Sequence, residues 1–354
     1  MDTVQRLQPS VKELSSKDAK IRSNAAKALA GVLAEHHLYP VSVVQLEGLK
    51  PLVKVVSAKE ADVGMGMERA NAALALGQIA QSSQKHRDLV MAAGALGPLV
   101  RMLDSDRAVE RCQASFAMAH ICEQNPRAQG IAERLNAIHL LVRELSSEGD
   151  SVSNAAYALA VLSSNPKLQS EIIRHGAAEP LVQHLSANTT RARVEAAFCL
   201  AQLALGSANQ ERIVEAGAVD PLMVLLRSPL AGERRNAAMA VARIADDFEP
   251  AQTAFAEAGA LDVMVEALAS EPAEVRLATV ALAALVRSHP DNAAVIVTAG
   301  CMDTLLRQLR SCTKAERAEA ARAIANLAEV NAEADELLQK LGAFVAVRRE
   351  LDML

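Results

Sequence analysis

The sequence predicts an all-α solenoid, a stack of repeated helical units, because one turn residue recurs along most of the chain. Its spacings are 42, 40, 41, 42, 41 and 42 residues, and it is glycine except once: Gly94, Asn136, Gly176, Gly217, Gly259, Gly300 and Gly342. Glycine, with asparagine as its commonest substitute, suits a turn that needs a positive backbone φ angle. Composition agrees, since 51% of the 354 residues are hydrophobic but only 2% are aromatic and Trp is absent. Alanine and aliphatic side chains must therefore fill the core.

Each repeat is predicted to contain three helices. In the clearest one, residues 210–216 form a short first helix, Gly217 turns the chain, and a second helix follows from Pro221. Proline is preorganised for the first turn of a helix. A longer third helix covers residues 231–245. Seven full repeats share this register, with third helices that end near Ile79, Ile121, Leu162, Leu203, Ile244, Leu285 and Leu327.

This unit resembles the armadillo repeat in its length, in the glycine between its first two helices and in its alanine-rich third helix. HEAT repeats are the near relative, but they usually have two helices and lack this glycine turn. The resemblance implies a right-handed superhelix whose third helices line a concave groove. We expect a single solenoid over residues 1–354, with an N-terminal partial repeat at 1–37, seven full repeats at 38–330 and a C-terminal partial repeat at 331–354. The loop between Ser57 and Met67 is about five residues longer than its counterparts, and it contains Gly64 and Gly66.

Charge and cysteine content exclude several classes of protein. The 37 basic and 42 acidic residues are interspersed and give a net charge of −5, which argues against binding to nucleic acid or to a membrane surface. Five cysteines lack metal-ligand spacing, and we expect them to be reduced. We find no signal sequence, lipidation motif or membrane-spanning run, so we expect no membrane anchor and a cytoplasmic or nuclear location. We also expect a monomer.

Aligning the third helices separates structural columns from a variable one. A column is one equivalent position in all seven third helices. Two columns are apolar throughout, and a third is alanine in every repeat, which indicates close helix packing. The alanine column is Ala72, Ala114, Ala155, Ala196, Ala237, Ala278 and Ala320. At about 100° per residue, three other positions share the opposite side of the helix. We call them the groove stripe. Its candidate partner-binding residues are Asn71, Gln78, Gln113, Phe116, His120, Asn154, Tyr157, Glu195, Phe198, Gln202, Asn236, Arg243 and Asn326.

Aromatic residues occupy one stripe position in three consecutive repeats: Phe116, Tyr157 and Phe198. In the nuclear-import adaptors of the armadillo family, the groove bears a Trp four residues before an Asn. The resemblance implies that these three aromatics occupy the positions of the Trp residues. The residues four positions later, His120, Val161 and Gln202, occupy the positions of the Asn residues. Such a ladder suits an extended peptide, since rings form side-chain pockets and amides hydrogen-bond the peptide backbone. The alternative is that the aromatics only fill gaps between repeats.

We find no nucleophile motif, paired carboxylates, metal-ligand spacing or dinucleotide fingerprint, so we expect a non-enzymatic protein without metal or cofactor. The leading hypothesis is a scaffold or adaptor that binds an extended or helical protein segment in the groove. A nuclear-import adaptor is the first alternative, although the sequence has no Trp, no basic N-terminal arm and only Asn326 of the Asn column. A regulatory subunit of an enzyme complex is the second.

Arginines recur near the start of the third helices, and they form either a rim that attracts an acidic partner or a salt-bridged edge. They are Arg69, Arg111, Arg193, Arg234, Arg235, Arg276 and Arg317.

Overall fold

The computed structural model describes residues 3–35, 39–58, 67–147, 149–269, 272–311 and 313–353. These residues form 25 α-helices and contain no β-strand. Among them, no helix combines the length and the apolar character that a bilayer crossing requires. The chain divides into two compact units, unit 1 at residues 1–180 and unit 2 at residues 181–354. Most of the long loop predicted after Ser57, residues 59–66, lies outside the described residues, and so does Cys312.

Unit 1 opens with two helices and continues with sets of three. Its helices are α1 (Thr3–Glu13), α2 (Ala19–Glu35), α3 (Tyr39–Gln45), α4 (Leu49–Val56), α5 (Glu68–Ser82), α6 (Gln84–Ala92), α7 (Leu96–Leu103), α8 (Ala108–Cys122), α9 (Pro126–Arg134), α10 (Ala137–Glu144), α11 (Asp150–Leu162) and α12 (Pro166–Arg174). Helix α13 (Ala178–His184) contains the division between the units.

Unit 2 follows the same order of one short, one short and one long helix. Its helices are α14 (Thr190–Leu203), α15 (Ser207–Glu215), α16 (Val219–Leu226), α17 (Ala231–Ala245), α18 (Glu249–Glu257), α19 (Ala260–Ala267), α20 (Pro272–Val286), α21 (Pro290–Thr298), α22 (Met302–Gln308), α23 (Lys314–Val330), α24 (Ala332–Lys340) and α25 (Phe344–Asp352).

The predicted three-helix repeat is confirmed. The long third helices pack in succession, α2, α5, α8 and α11 in unit 1, and α14, α17, α20 and α23 in unit 2. The predicted third helix at residues 231–245 coincides with α17, while the first helix of that repeat begins at Ser207 rather than Gln210. The incomplete sets at the ends are α1 with α2, and α24 with α25.

The recurring turn residues adopt the left-handed conformation that the sequence predicted. Their φ angles lie between 59° and 84°, with Asn136 and Gly217 at these extremes. In the first full repeat the corresponding residue is Glu47, at φ 58°, and the glycine follows it. Gly48 serves a different purpose there, because an added Cβ would lie 2.7 Å from Val43 Cγ1. That glycine is required for close approach, not for backbone freedom.

Buried amides on the first helices join the ends of successive third helices. Gln252 Nε2 donates to the Ala245 carbonyl at 3.1 Å and to the Ala284 carbonyl at 2.9 Å. Gln129 Nε2 does the same in unit 1, donating to the Cys122 carbonyl at 3.1 Å and to the Val161 carbonyl at 3.4 Å. The last carbonyls of a helix lack partners within it, so these amides satisfy groups that burial would otherwise leave unpaired.

The recurring arginines form a salt-bridged edge, and we call each pair an Arg–Glu rung. A guanidinium near the start of one third helix contacts a buried glutamate of the next repeat. The rungs are Arg22–Glu68, Arg69–Glu110 and Arg111–Glu144 in unit 1, and Arg193–Glu233, Arg234–Glu274 and Arg317–Glu350 in unit 2. All of these glutamates except Glu274 are at most 3% exposed. Arg235 and Arg276, by contrast, are exposed.

One rung in unit 2 is fully hydrogen-bonded. Glu233 Oε1 accepts from Arg193 Nε at 2.9 Å, and Glu233 Oε2 accepts from Ser228 Oγ at 2.6 Å. Burial alone would raise the pKa of Glu233, but the hydrogen bonds from Ser228 and Arg193 outweigh burial and hold the pKa below its ordinary value. A lowered pKa in the folded state means that ionised Glu233 stabilises the fold.

We therefore expect Glu233→Gln to lower the free energy of unfolding by about 2 kcal/mol at neutral pH, since it leaves Arg193 half-buried without its counter-charge. The difference in the free energy of unfolding between wild type and Glu233→Gln should shrink as the pH falls from about 5 to about 3, because ionised Glu233 stabilises the fold only above its folded pKa. Urea denaturation across this pH range measures both effects.

Glu215→Gln is the matched control, because Glu215 is 59% exposed in its pair with Arg212. It should change the free energy of unfolding by less than about 0.5 kcal/mol. A difference between wild type and Glu233→Gln that stays constant with pH would contradict the assignment.

Candidate functional site

The groove stripe lies on the more exposed side of the third helices. Every residue of the two apolar columns and of the alanine column is at most 1% exposed. Most candidate stripe residues are half-buried and Arg243 is exposed, but His120 and Asn154 are buried, at 6% and 5% exposed. Apart from these two candidates, the predicted separation of buried structural columns from a more exposed stripe is present in each unit, on α5, α8 and α11 in unit 1 and on α14, α17, α20 and α23 in unit 2.

In unit 1 the stripe carries a continuous stack of rings. The Phe116 and His120 ring centroids are 4.6 Å apart at 73°, an edge-to-face arrangement. His120 then lies 5.7 Å from the Tyr157 ring at 56°. The stack crosses from α8 to α11, with the imidazole between the two aromatic rings. His120 Nδ1 is also 3.8 Å from Glu123 Oε2.

The stack begins on a glycine that the sequence analysis did not single out. An added Cβ at Gly77 of α5 would lie 2.6 Å from Phe116 Cδ1, so the Phe116 ring rests directly on this helix. The sequence did contain a signal, since the other six repeats have alanine in this column: Ala119, Ala160, Ala201, Ala242, Ala283 and Ala325. The missing methyl group makes room for the ring.

Two stripe asparagines bind the preceding third helix. Asn154 Nδ2 donates to the Cys112 carbonyl at 3.1 Å, and Asn326 Nδ2 donates to the Ala283 carbonyl at 2.7 Å. Asn236 Nδ2 donates to the Gly232 carbonyl of its own helix at 2.8 Å. These amide NH₂ groups are therefore engaged with backbone carbonyls inside their units.

The other stripe amides differ. Within the described part of the chain, no hydrogen bond joins the side chains of Asn71, Gln78, Gln113 or Gln202 to another protein group. All four are half-buried. Each amide carries one acceptor and two N–H donors, although Gln78 Oε1 is itself buried, and the first three belong to unit 1 beside the ring stack.

In unit 2 the stripe begins with Glu195 and half-buried Phe198 on α14. Burial raises the pKa of Glu195, and the charge of Arg191 partly opposes this shift. Burial, with a smaller contribution from Glu195, also raises the pKa of the Cys199 thiol.

Three of the described cysteines, Cys122, Cys199 and Cys301, are buried, and Cys112 is half-buried. Cys122 is 1% exposed, and burial raises its pKa to about 12, so this thiol is protonated at neutral pH. Among the described residues, Cys112, Cys122, Cys199 and Cys301 form no disulfide bond. In the described ranges, no three His, Cys, Asp or Glu side chains are grouped so that they could hold a metal ion.

Comparisons with known proteins place these features in a family context. No family model matches the chain. Importin subunit alpha-1b of Oryza sativa subsp. japonica is 29% identical over 171 residues, which cover 47% of this chain and 30% of that protein. The match thus spans less than a third of this curated relative.

Solved structures extend the likeness to nearly the whole chain. The crystal structure of an engineered protein matches with a TM-score of 0.81 and 30% identity, covering 97% of this chain and 82% of that one. A designed armadillo repeat protein, in complex with the peptide (KR)4, matches with a TM-score of 0.59 and 27% identity, covering 67% of this chain and 99% of that one.

The contact between the Phe116 ring and Gly77 of α5 can be tested by a double-mutant cycle. Gly77→Ala should lower the free energy of unfolding by about 1–2 kcal/mol, because the new methyl group meets the Phe116 ring. In a Phe116→Ala background the same change should cost less but still destabilise, because the Ala117 Cα also lies 3.0 Å from the added Cβ and stays in place. Urea denaturation followed by circular dichroism measures the cycle.

Gly31→Ala is the control, because α2 is helical there and no atom lies within 4 Å of an added Cβ. It should stabilise by about 0.5–1 kcal/mol in both backgrounds. Equal costs of Gly77→Ala in the two backgrounds would show that the ring does not limit this position.

Proposed function

We propose that this chain, which belongs to the armadillo repeat family, is a non-enzymatic adaptor that binds an extended or helical segment of another protein along the groove stripe. The observation that carries the proposal is the combination in unit 1 of a preformed ring stack with amides that have no partner among the described residues. Asn71, Gln78 and Gln113 supply those amides, and Phe116, His120 and Tyr157 supply the rings.

The physical logic favours an extended segment. A peptide in extended form presents backbone N–H and C=O groups about every 3.3 Å, and side-chain amides can satisfy both kinds. Successive third helices lie roughly 10 Å apart, so each repeat would contact two or three residues. Rings beside the amides would provide apolar pockets for alternate side chains. The designed armadillo repeat protein in complex with the peptide (KR)4 supports a peptide as the partner.

The proposal includes all the stripe residues predicted from sequence. In unit 2 these are Glu195, Phe198, Gln202, Asn236, Arg243 and Asn326, and they include charged groups that the stripe of unit 1 lacks. We further propose that the chain acts as a monomer in the cytoplasm or the nucleus, with a protein or peptide and not a nucleic acid as its partner.

The test is selection of binding peptides from a random twelve-residue display library, followed by affinity measurement on purified variants. Asn71→Ala, Gln78→Ala and Gln113→Ala together should weaken a selected peptide by at least about tenfold, since each hydrogen bond contributes about 0.5–1.5 kcal/mol. The melting temperature should be unchanged or higher, because these amides make no hydrogen bonds within the described chain.

The matched control replaces three exposed amides outside the third helices, Gln8, Gln183 and Asn188, by alanine. It should bind the selected peptides with wild-type affinity. Peptides that bind the stripe variant and the control variant equally well would place the site elsewhere and refute the proposal.

A nuclear-import adaptor is the second candidate, and the importin alpha likeness over 171 residues favours it. The stripe positions of unit 1 argue against recognition of a basic segment there, because none holds a carboxylate. We expect (KR)4 to bind no more tightly than (KE)4 in isothermal titration. If the protein clearly prefers (KR)4 and Glu195→Gln abolishes that preference, the nuclear-import adaptor is the better hypothesis.

A further inference from the structure

A second charged feature lies in unit 2, away from the groove stripe. A cavity of about 1020 Å³ opens between α22, the start of α23 and α25. Four arginines line it against a single carboxylate, that of Asp303: Arg307, Arg310, Arg317 and Arg349. None of the lining residues belongs to the groove stripe. The cavity therefore carries a formal excess of positive charge.

Internal pairing leaves much of this charge uncompensated. Glu350, only 2% exposed, contacts both Arg317 Nε at 3.2 Å and Arg349 Nη2 at 3.3 Å, so two guanidiniums share one carboxylate. Arg307 donates to Thr304 Oγ1 at 2.8 Å and contacts no carboxylate of the described chain. Arg310 makes neither a side-chain hydrogen bond nor an ion pair with any described residue, and it is exposed.

The N-terminus of α25 adds to the positive potential. In the earlier second helices of unit 2, an aspartate stands three residues after the turn glycine and balances the helix dipole: Asp220, Asp262 and Asp303. In α25 this position is Val345, which is 75% exposed, and the first turn has no acidic residue.

No side chain caps the first turn of α25 either, since its N-cap residue is Ala343. Gly342 and Ala343 line the cavity, so this uncapped turn lies at its edge. Backbone N–H groups of a first turn lack partners within the helix and favour anions.

We propose that this cavity binds an acidic peptide segment, whose carboxylates contact Arg307 and Arg310 and occupy the place of the missing first-turn aspartate of α25. Guanidiniums drawn from three elements match several carboxylates better than one small anion. The volume is also at the upper end of sites for small ligands, which are about 300–1000 Å³. The site would give the adaptor a second partner, independent of the groove.

An octaglutamate peptide with a fluorescent label tests the proposal by anisotropy at several salt concentrations. Wild-type chain should bind it, with an affinity that falls as salt rises. Arg307→Glu with Arg310→Glu should weaken binding by at least about tenfold. Val345→Asp should weaken it by about threefold, because the restored aspartate occupies the anion position and repels the peptide. Circular dichroism and melting temperature check that both variants fold.

Arg212→Glu with Arg227→Glu is the matched control, since it changes the net charge of unit 2 equally. Arg227 and Arg310 are equivalent positions, each ten residues after its turn glycine. They differ in that the second helix after Arg227 has a first-turn aspartate, Asp262. The control should bind octaglutamate within about twofold of wild type. Equal losses in both double variants, no loss at Arg307 and Arg310, or binding of polyphosphate but not octaglutamate would each overturn the proposal. The outcome is independent of the Asn71, Gln78 and Gln113 variant, so the two sites are tested separately.

Discussion

Close approach of successive third helices across alanine is the constraint on which the rest of each unit depends. The alanine column is at most 1% exposed in all seven repeats, and a larger side chain there would push neighbouring helices apart. The stripe lies on the same helices, so alanine packing also sets the distance between stripe residues of successive third helices, roughly 8–10 Å. At Gly77 even the methyl group is removed, and the Phe116 ring uses the space. The accessible stripe is thus a consequence of the packing beneath it.

The Arg–Glu rungs fix which residues face each other once the helices are close. A buried ion pair contributes little net stability, because desolvation offsets most of the attraction, but a buried carboxylate without its cation is costly. Glu110 is fully buried and has Arg69 of the preceding repeat at 3.2 Å. A shift of one helix by a single turn would leave such a carboxylate unpaired. We attribute the regular register within each unit to this penalty for misalignment, and it explains why arginines recur where the helix dipole disfavours them.

The repeat could be predicted from the sequence because its determinants are local and periodic. A turn that needs positive φ selects glycine or asparagine, and helix packing selects alanine, so both leave a mark at fixed spacing. Side-chain partners leave no such mark. The sequence treats Asn71 and Asn154 as the same column, yet only Asn154 donates to a neighbouring backbone. Likewise Ser151 stands at the position that holds Glu110 or Glu233 in other repeats, and Glu144 from α10 contacts Arg111 instead. The single solenoid over 1–354 and the roles of the stripe residues stay predictions.

Packing and the binding proposed above are compatible roles for the aromatic residues of unit 1. Phe116 rests on Gly77 and contacts His120, which in turn contacts Tyr157, so each ring is held before any partner arrives. A partner that binds a preorganised surface loses less conformational entropy than one that must order it. The stripe of unit 1 holds amides and rings without a carboxylate. In the proposed binding, affinity at this stripe would come from backbone hydrogen bonds and apolar contact. Binding to unit 1 should therefore respond weakly to salt, whereas the arginine-lined cavity of unit 2 should respond strongly.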